Sequence, residues 1–207
     1  MDLYSIAHFM QAKMPWAWNA IEIVNEWLFV LRYGRRVKKV TVSSVPEGYS
    51  LMKMREVPTE KIVSFFEHQP EEAFRFFNPH KFDAKSIRRL QKNRSYLAYL
   101  LIDKSNGQFA GYCFNRCFFQ GKGFRGRMVD IDYRGKGLGT VMNKILNEVG
   151  FGIGLRLFET VSKDNVASYR SALSASNVKV VKEMPGNELY LEILPRINDL
   201  STQRGIK

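Results

Sequence analysis

Residue types able to do chemistry concentrate in Asp130-Ile131-Asp132-Tyr133-Arg134-Gly135-Lys136-Gly137-Leu138-Gly139-Thr140. Arg134 and Lys136 supply positive charge, and Gly135, Gly137 and Gly139 alternate with larger residues. Such a run suits an anion, because glycine lets a phosphate approach the backbone closely. The flanking elements suit it too. Arg127 to Tyr133 reads as a strand, with Met128, Asp130 and Asp132 alternating against Val129, Ile131 and Tyr133. Leu138 to Val149 reads as a helix with Val141, Met142, Ile145, Leu146 and Val149 on one stripe. The first N–H groups of a helix have no internal partner, and the macrodipole adds partial positive charge there. The alternative is a strand-to-helix turn that needs glycine only for its geometry.

Two other phosphate motifs are excluded. A Walker A loop requires Gly, four residues, then Gly-Lys-Ser/Thr. Here Gly135-Lys136 is followed by Gly137, and Asp130 stands at the first glycine position. A dinucleotide fingerprint requires a third glycine where Thr140 stands. Gly121-Lys122-Gly123-Phe124-Arg125-Gly126 matches that fingerprint by letter, but a strand pattern follows it, so it reads as a hairpin loop.

The elements around this stretch must come from a chain of 207 residues, enough for one domain and an extension. It is 45% hydrophobic and 25% charged, which permits a real core. A net charge of +12 favours anionic partners: nucleotide cofactors, nucleic acid or a membrane surface. Cys113 and Cys117 lie four apart on one predicted strand, too far to bridge, and read as free buried thiols of a reducing compartment. No signal peptide or membrane span is apparent, so the expected location is cytoplasmic. His8, His68 and His80 lack metal-ligand spacing, and no metal is expected.

Residues 1–45 read as an N-terminal helical and basic extension, and residues 46–207 as the main domain. Trp16 to Tyr33 carries Trp18, Ile21, Val24, Trp27, Leu28 and Leu31 at helical spacing, against a polar side of Asn19, Glu22, Asn25 and Glu26. Arg32, Arg35, Arg36, Lys38 and Lys39 follow, and Val37 to Val45 alternates like a strand. One reading is an interfacial membrane helix with a polybasic flank. Glu22 and Glu26 weigh against it, so packing on the domain or against a second copy is expected. Strands are expected over Tyr49–Val57, Tyr96–Asp103, Gln108–Phe119, Leu155–Val161, Val178–Glu183 and Glu188–Leu194. Helices are expected from Pro58 to His68, onward from Pro70 to Phe77, from an Asp83 cap to Lys92, and over Asn165–Ala175. This order predicts a mixed α/β sheet covered by helices.

Arg134-Gly135-Lys136-Gly137-Leu138-Gly139, after a strand and opening a helix, resembles motif A of the GNAT superfamily of acyl-CoA-dependent N-acyltransferases: Arg/Gln-x-x-Gly-x-Gly/Ala. The element order over residues 48–194 resembles that family as well. The resemblance implies a mixed, mainly antiparallel central sheet in which two neighbouring parallel strands splay apart. It implies that the pantetheine arm of acetyl-CoA pairs with the backbone of Val129 and Ile131 between those strands. The pyrophosphate is then expected on N–H groups from Arg134, Gly135, Lys136, Gly137, Leu138, Gly139 and Thr140. Asn165 matches an Asn that contacts the CoA arm, and Ser168 stands where a small residue is usual.

The implied activity is acetyl transfer to an amine by direct attack on the thioester. The acceptor is expected to be a small amine or a nucleotide-linked amino sugar. The family often places a Tyr seven residues after that Asn, as acid for the leaving thiolate. Here Ala172 holds the position and Tyr169 lies one turn earlier, the nearest substitute. Candidate bases are Asp130, Asp132, Glu159 and His80. Glu159 sits among Leu155, Leu157 and Val161 on one face, where burial would raise its pKa toward neutrality, or else pairs with Arg116 or Arg127. Asp130 and Asp132 also read as solvated strand-face charges. The alternative function is a non-catalytic protein of the same fold that binds nucleic acid or a membrane surface, although no stable nucleic-acid partner is expected.

Overall fold

A computed structural model describes residues 15–196. The helices are α1 (Pro15–Lys39), α2 (Thr59–Glu67), α3 (Ala84–Lys92), α4 (Leu138–Gly152) and α5 (Val166–Ala175). The strands are β1 (Tyr49–Lys53), β2 (Tyr96–Asp103), β3 (Phe109–Phe118), β4 (Lys122–Val129), β5 (Arg156–Ser162), β6 (Asn177–Met184) and β7 (Glu188–Leu194). Single turns of 3₁₀ helix cover Met54–Glu56, Glu71–Phe74 and Ile131–Tyr133. Asp83 caps α3 as its side-chain chemistry predicts, accepting from the Ser86 N–H at 2.9 Å.

The strands form one seven-stranded sheet in the order β1-β2-β3-β4-β5-β7-β6. Among the described residues only β4 and β5 run parallel; the other neighbours are antiparallel. Both faces are covered, which is why β2 is apolar almost throughout. Leu97, Tyr99 and Leu101 face a core shared with α1, α4 and α5. Tyr96, Ala98 and Leu100 face a second core with α2 and α3, rich in aromatic rings. Cys113 and Cys117 are free and buried in the first core, and burial pushes the Cys113 thiol up to about 12. A thiol so raised stays protonated at neutral pH and is no nucleophile.

Several expected boundaries shift. The strand predicted over Tyr49–Val57 stops at Lys53 and turns into 3₁₀ helix. The helix expected over Pro70–Phe77 is one 3₁₀ turn, Glu71–Phe74. The strand predicted over Arg127–Tyr133 starts earlier and ends at Val129, because Asp130 closes the following turn by accepting from the Asp132 N–H at 2.9 Å. Lys122 to Gly126, predicted as a loop, is therefore strand, and only Gly121 turns the chain, at φ 91°. Gly126 serves close packing instead: a Cβ there would lie 2.6 Å from the Phe114 ring.

The N-terminal helix packs on the domain, one of the two expected arrangements, but through an unexpected side. Its polar side, not its apolar stripe, faces the body. Glu22 pairs with Arg116 at 2.6 Å, Glu26 accepts from the Arg94 N–H, and Asn25 bonds the backbone at Cys117 and Phe119. Phe29 and Tyr33, on that same side, are buried in the core. Ile21, Ile23, Val24, Trp27 and Leu31 point outward. The strand expected over Val37–Val45 does not form. Val37 to Lys39 finish α1, and Ser43 and Ser44 in the following segment donate to Glu148 on α4.

Candidate active site

The parallel pair is short. β4 and β5 pair only from Lys122 to Phe124 with Arg156 to Phe158. Beyond that, among the described residues, Arg125–Val129 and Glu159–Ser162 have no mutual ladder, while β5 keeps β7 on its other side. The two strands thus part toward the end that carries the glycine turn. The Asp130 N–H bonds Ala110 O on β3. Backbone groups alternate in direction along a strand, so the N–H of Val129 is turned to the gap. An unpaired strand edge of this kind can accept an amide-bearing chain as an added strand. Ile131, the other residue expected to serve there, differs. Its N–H donates to Gln69 Oε1 at 3.1 Å, since the chain has already entered the 3₁₀ turn.

The turn then opens α4. Gly135 and Gly137 adopt φ of 77° and 76°, and a Cβ on either would meet nothing within 4 Å. Conformation, not space, demands glycine here. Gly137 is the N-cap of α4, no side chain among the described residues caps it, and the first turn has no acid. An uncapped helix start beside two exposed cations is a strong local positive field. Arg134 is exposed, and Lys136 lies over the Tyr133 ring, 4.4 Å from its centroid. Leu138 is buried under the turn, Thr140 bonds back to Gly137 O, and Gly139 lets α4 approach Ser171 on α5.

Across the gap, Asn165 caps α5 by accepting from the Ser168 N–H at 3.1 Å, which leaves its amide nitrogen outside the cap. Ser168 is held from β4: Arg127 donates to its carbonyl at 2.9 Å and to its hydroxyl at 3.1 Å. Ala172, at the position where a Tyr acid was looked for, is fully buried and has no titratable group. Tyr169 is half-buried against the core next to it.

Glu159 corrects the sequence reading. Its neighbours along the strand are apolar, but across the gap its Oε2 meets Arg125 Nε at 2.7 Å and Arg127 Nη1 at 3.3 Å. Burial pushes its carboxyl up, and the two guanidinium groups more than reverse this, so its pKa is lowered. A carboxylate held ionised by two cations is a poor general base. Of the partners expected for it, Arg127 is present, whereas Arg116 is bound to Glu22. Arg125 also donates to Asn147 on α4, so the cluster ties β4, β5 and α4 together.

The other acids diverge. Asp130 is buried, not solvated, and accepts from Gln69 Nε2 at 2.6 Å. Asp132 is exposed, and its Oδ2 lies 3.2 Å from His68 Nε2. His68, Asp130 and Asp132 line an open pocket of about 740 Å³ between α2 and the ends of β1, β2 and β3, with Glu56, Lys61 and Phe65. Donor atoms of His68, Asp130 and Asp132 lie within 4.8 Å of one another, but both Asp130 oxygens are engaged by Gln69 and by the Asp132 N–H. The sequence points to neither His68, weighed only for metal-ligand spacing, nor Gln69, since only folding brings α2 to the end of β4. His80, an expected base, is instead enclosed by Phe66, Phe82, Tyr96 and Phe114. It lies 3.2 Å from the Tyr112 hydroxyl, and burial lowers its pKa.

No protein-family model and no curated protein matches the sequence. Solved structures do match in shape. The GNAT domain of S. lividans PAT superposes with TM-score 0.60 at 14% identity, covering 69% of this chain and 88% of its own. A GNAT-family acetyltransferase from Bacillus anthracis gives 0.55 at 16% identity, covering 75% and 97%. The aminoglycoside acetyltransferase AAC(6')-Ib, in complex with coenzyme A and kanamycin, gives 0.55 at 14%, covering 75% and 99%. Sheet order, parted strands, glycine turn and these superpositions agree that the chain has the GNAT fold.

Proposed function

We propose that this chain is an acetyl-CoA-dependent N-acetyltransferase. One coincidence carries the reading: the parted edge of β4 leads directly into an uncapped helix start with two left-handed glycines. Together they match an amide-bearing arm that ends in a pyrophosphate. Val129 would pair with the arm and polarise the thioester carbonyl through its N–H, while Arg134 and Lys136 face the phosphates. The solved relatives of this fold that hold coenzyme A or acetyl-CoA support the reading.

The acceptor would enter the pocket beside Asp130. Glu56, Asp130 and Asp132 outnumber Lys61 on its wall, which suits a cationic amine, whether free or on a sugar. In transfer, the amine nitrogen attacks the thioester carbon and the C–S bond breaks. The amine gives up a proton and the departing thiolate gains one. His68, oriented by Asp132, is the base we assign. The proton for the departing thiolate is assigned to Tyr169, on α5 beside the gap.

Calorimetric titration with acetyl-CoA tests the site, with ATP and dephospho-CoA as controls. Stoichiometric binding, weakened about tenfold or more by Arg134→Ala, is expected. Thiol release with a panel of polyamines, amino sugars and nucleotide-linked amino sugars then tests turnover. His68→Ala is expected to lower kcat by about 10²-fold or more with acetyl-CoA binding intact. Absence of binding at millimolar acetyl-CoA overturns the proposal.

A further inference from the structure

The outward face of α1 is apolar where solvent should demand polarity. Trp27 is 76% exposed, Leu31 81% and Ile23 62%. These three lie four residues apart and so form one row along the helix, with Val24 beside it. Contiguous apolar surface of this kind marks an interaction site more often than chance exposure. The row does not end in polar neutral residues. Arg35 continues it one turn beyond Leu31, Lys38 and Lys39 follow, and all three are exposed.

The charge on this helix decides what covers the row. Its acids, Glu22 and Glu26, are turned inward and engaged by Arg116 and by the Arg94 N–H. The objection they raised to a membrane helix therefore falls, because they are not on the outer surface. Arg32 and Arg36 also reach back, to Phe119 O and Ile153 O. Among the described side chains, what remains outward beyond Asn19 is apolar, then cationic, with no acid. A second copy would bring the same cations and the same net charge of +12. An anionic lipid surface offers acyl chains for Ile23, Trp27 and Leu31 and headgroups for Arg35, Lys38 and Lys39. Trp27 suits the boundary between them. No helix among the described residues is long and apolar enough to cross a membrane, so the helix would lie in the surface.

We propose that the outer face of α1 docks the protein on an anionic bilayer. This is independent of the acetyl-transfer reading. The test is flotation of the full chain with vesicles of phosphatidylcholine alone, and with about a third phosphatidylglycerol. Binding to the anionic vesicles and weak binding to the neutral ones are expected. Trp27→Glu with Leu31→Glu should weaken binding by about 100-fold or more. Arg35→Glu with Lys38→Glu should weaken it by roughly 30-fold. These side chains point outward, so each variant should keep the parent's circular dichroism and melting temperature. No binding to anionic vesicles overturns the proposal, as does binding that the substitutions leave unchanged or that neutral vesicles equal. Sedimentation velocity adds one decisive contrast. A dimer dissolved by Trp27→Glu, in a protein that ignores vesicles, shows the row to be covered by a second copy.

Discussion

At the residue scale, the cluster of Arg125, Arg127 and Glu159 is the clearest case of chemistry set by partners rather than by neighbours in sequence. Removing one charge from a buried pair costs about 3–5 kcal/mol, because the remaining charges lose their counter-ion. Glu159→Gln should therefore lower stability by that order in urea melts. If it abolished turnover while leaving stability intact, Glu159 would be a catalytic base after all. His80 gives a pH dependence. Its folded-state pKa is lowered by burial, so the unfolded chain binds the proton more readily. Stability from this group is then full above about 6.5, the ordinary value for His, and falls as pH drops below it. The melting temperature should decline from pH 7.5 to pH 5.5 by more in the parent than in His80→Phe. Equal slopes would show that His80 does not titrate on unfolding.

At the element scale, the start of α4 and the body of α5 make opposite demands. Gly137 is left-handed with open space around it, so Gly137→Ala meets a conformational penalty of roughly 1–2 kcal/mol and no clash. Thermal melts should show that loss, and, on the proposed cofactor site, acetyl-CoA titration should show weaker binding because the N–H groups at the helix start move. On α5 the limit is volume. Ala172 is fully buried, so Ala172→Tyr should cost about 1–3 kcal/mol through overpacking. No gain in thiol-release rate is expected. A stable and faster variant would mean that the site lacks only its acid.

At the scale of the whole molecule, α1 belongs to the body it covers. Phe29 is buried in the same core as Met142 and Ile145 of α4, and Asn25 bonds the backbone of β3. Phe29→Ala should destabilise the protein by about 3–5 kcal/mol and shift a single melting transition. Two separate transitions would instead mark the N-terminal segment as an independent unit. The seven-stranded sheet carries two jobs on opposite sides of one division. β1 to β4 hold the pocket, β5 to β7 hold the far wall of the gap, and the short pairing of Lys122–Phe124 joins them.

What the sequence determined alone was local and repetitive. Alternating and 3.6-residue apolar patterns placed most strands and helices, and Asp83 announced its cap. The glycines after Arg134 announced a tight turn into a helix, because left-handed φ and a helix start are properties of a few consecutive residues. Tertiary structure decided everything that depends on register. Glu159 read as an apolar-face acid because Arg125 lies 34 residues away on another strand. Ile131 looked like a free strand edge until Gln69, from 62 residues earlier, bonded its N–H. The helix of Trp27 read as an amphipathic helix whose apolar stripe would be covered by the domain or by a second copy. Its orientation was settled by Arg116, 94 residues from Glu22, and by a ring pair, Phe29 and Tyr33, on the polar side. Periodicity says that a helix has two faces. Which face is buried depends on what the rest of the fold presents to it.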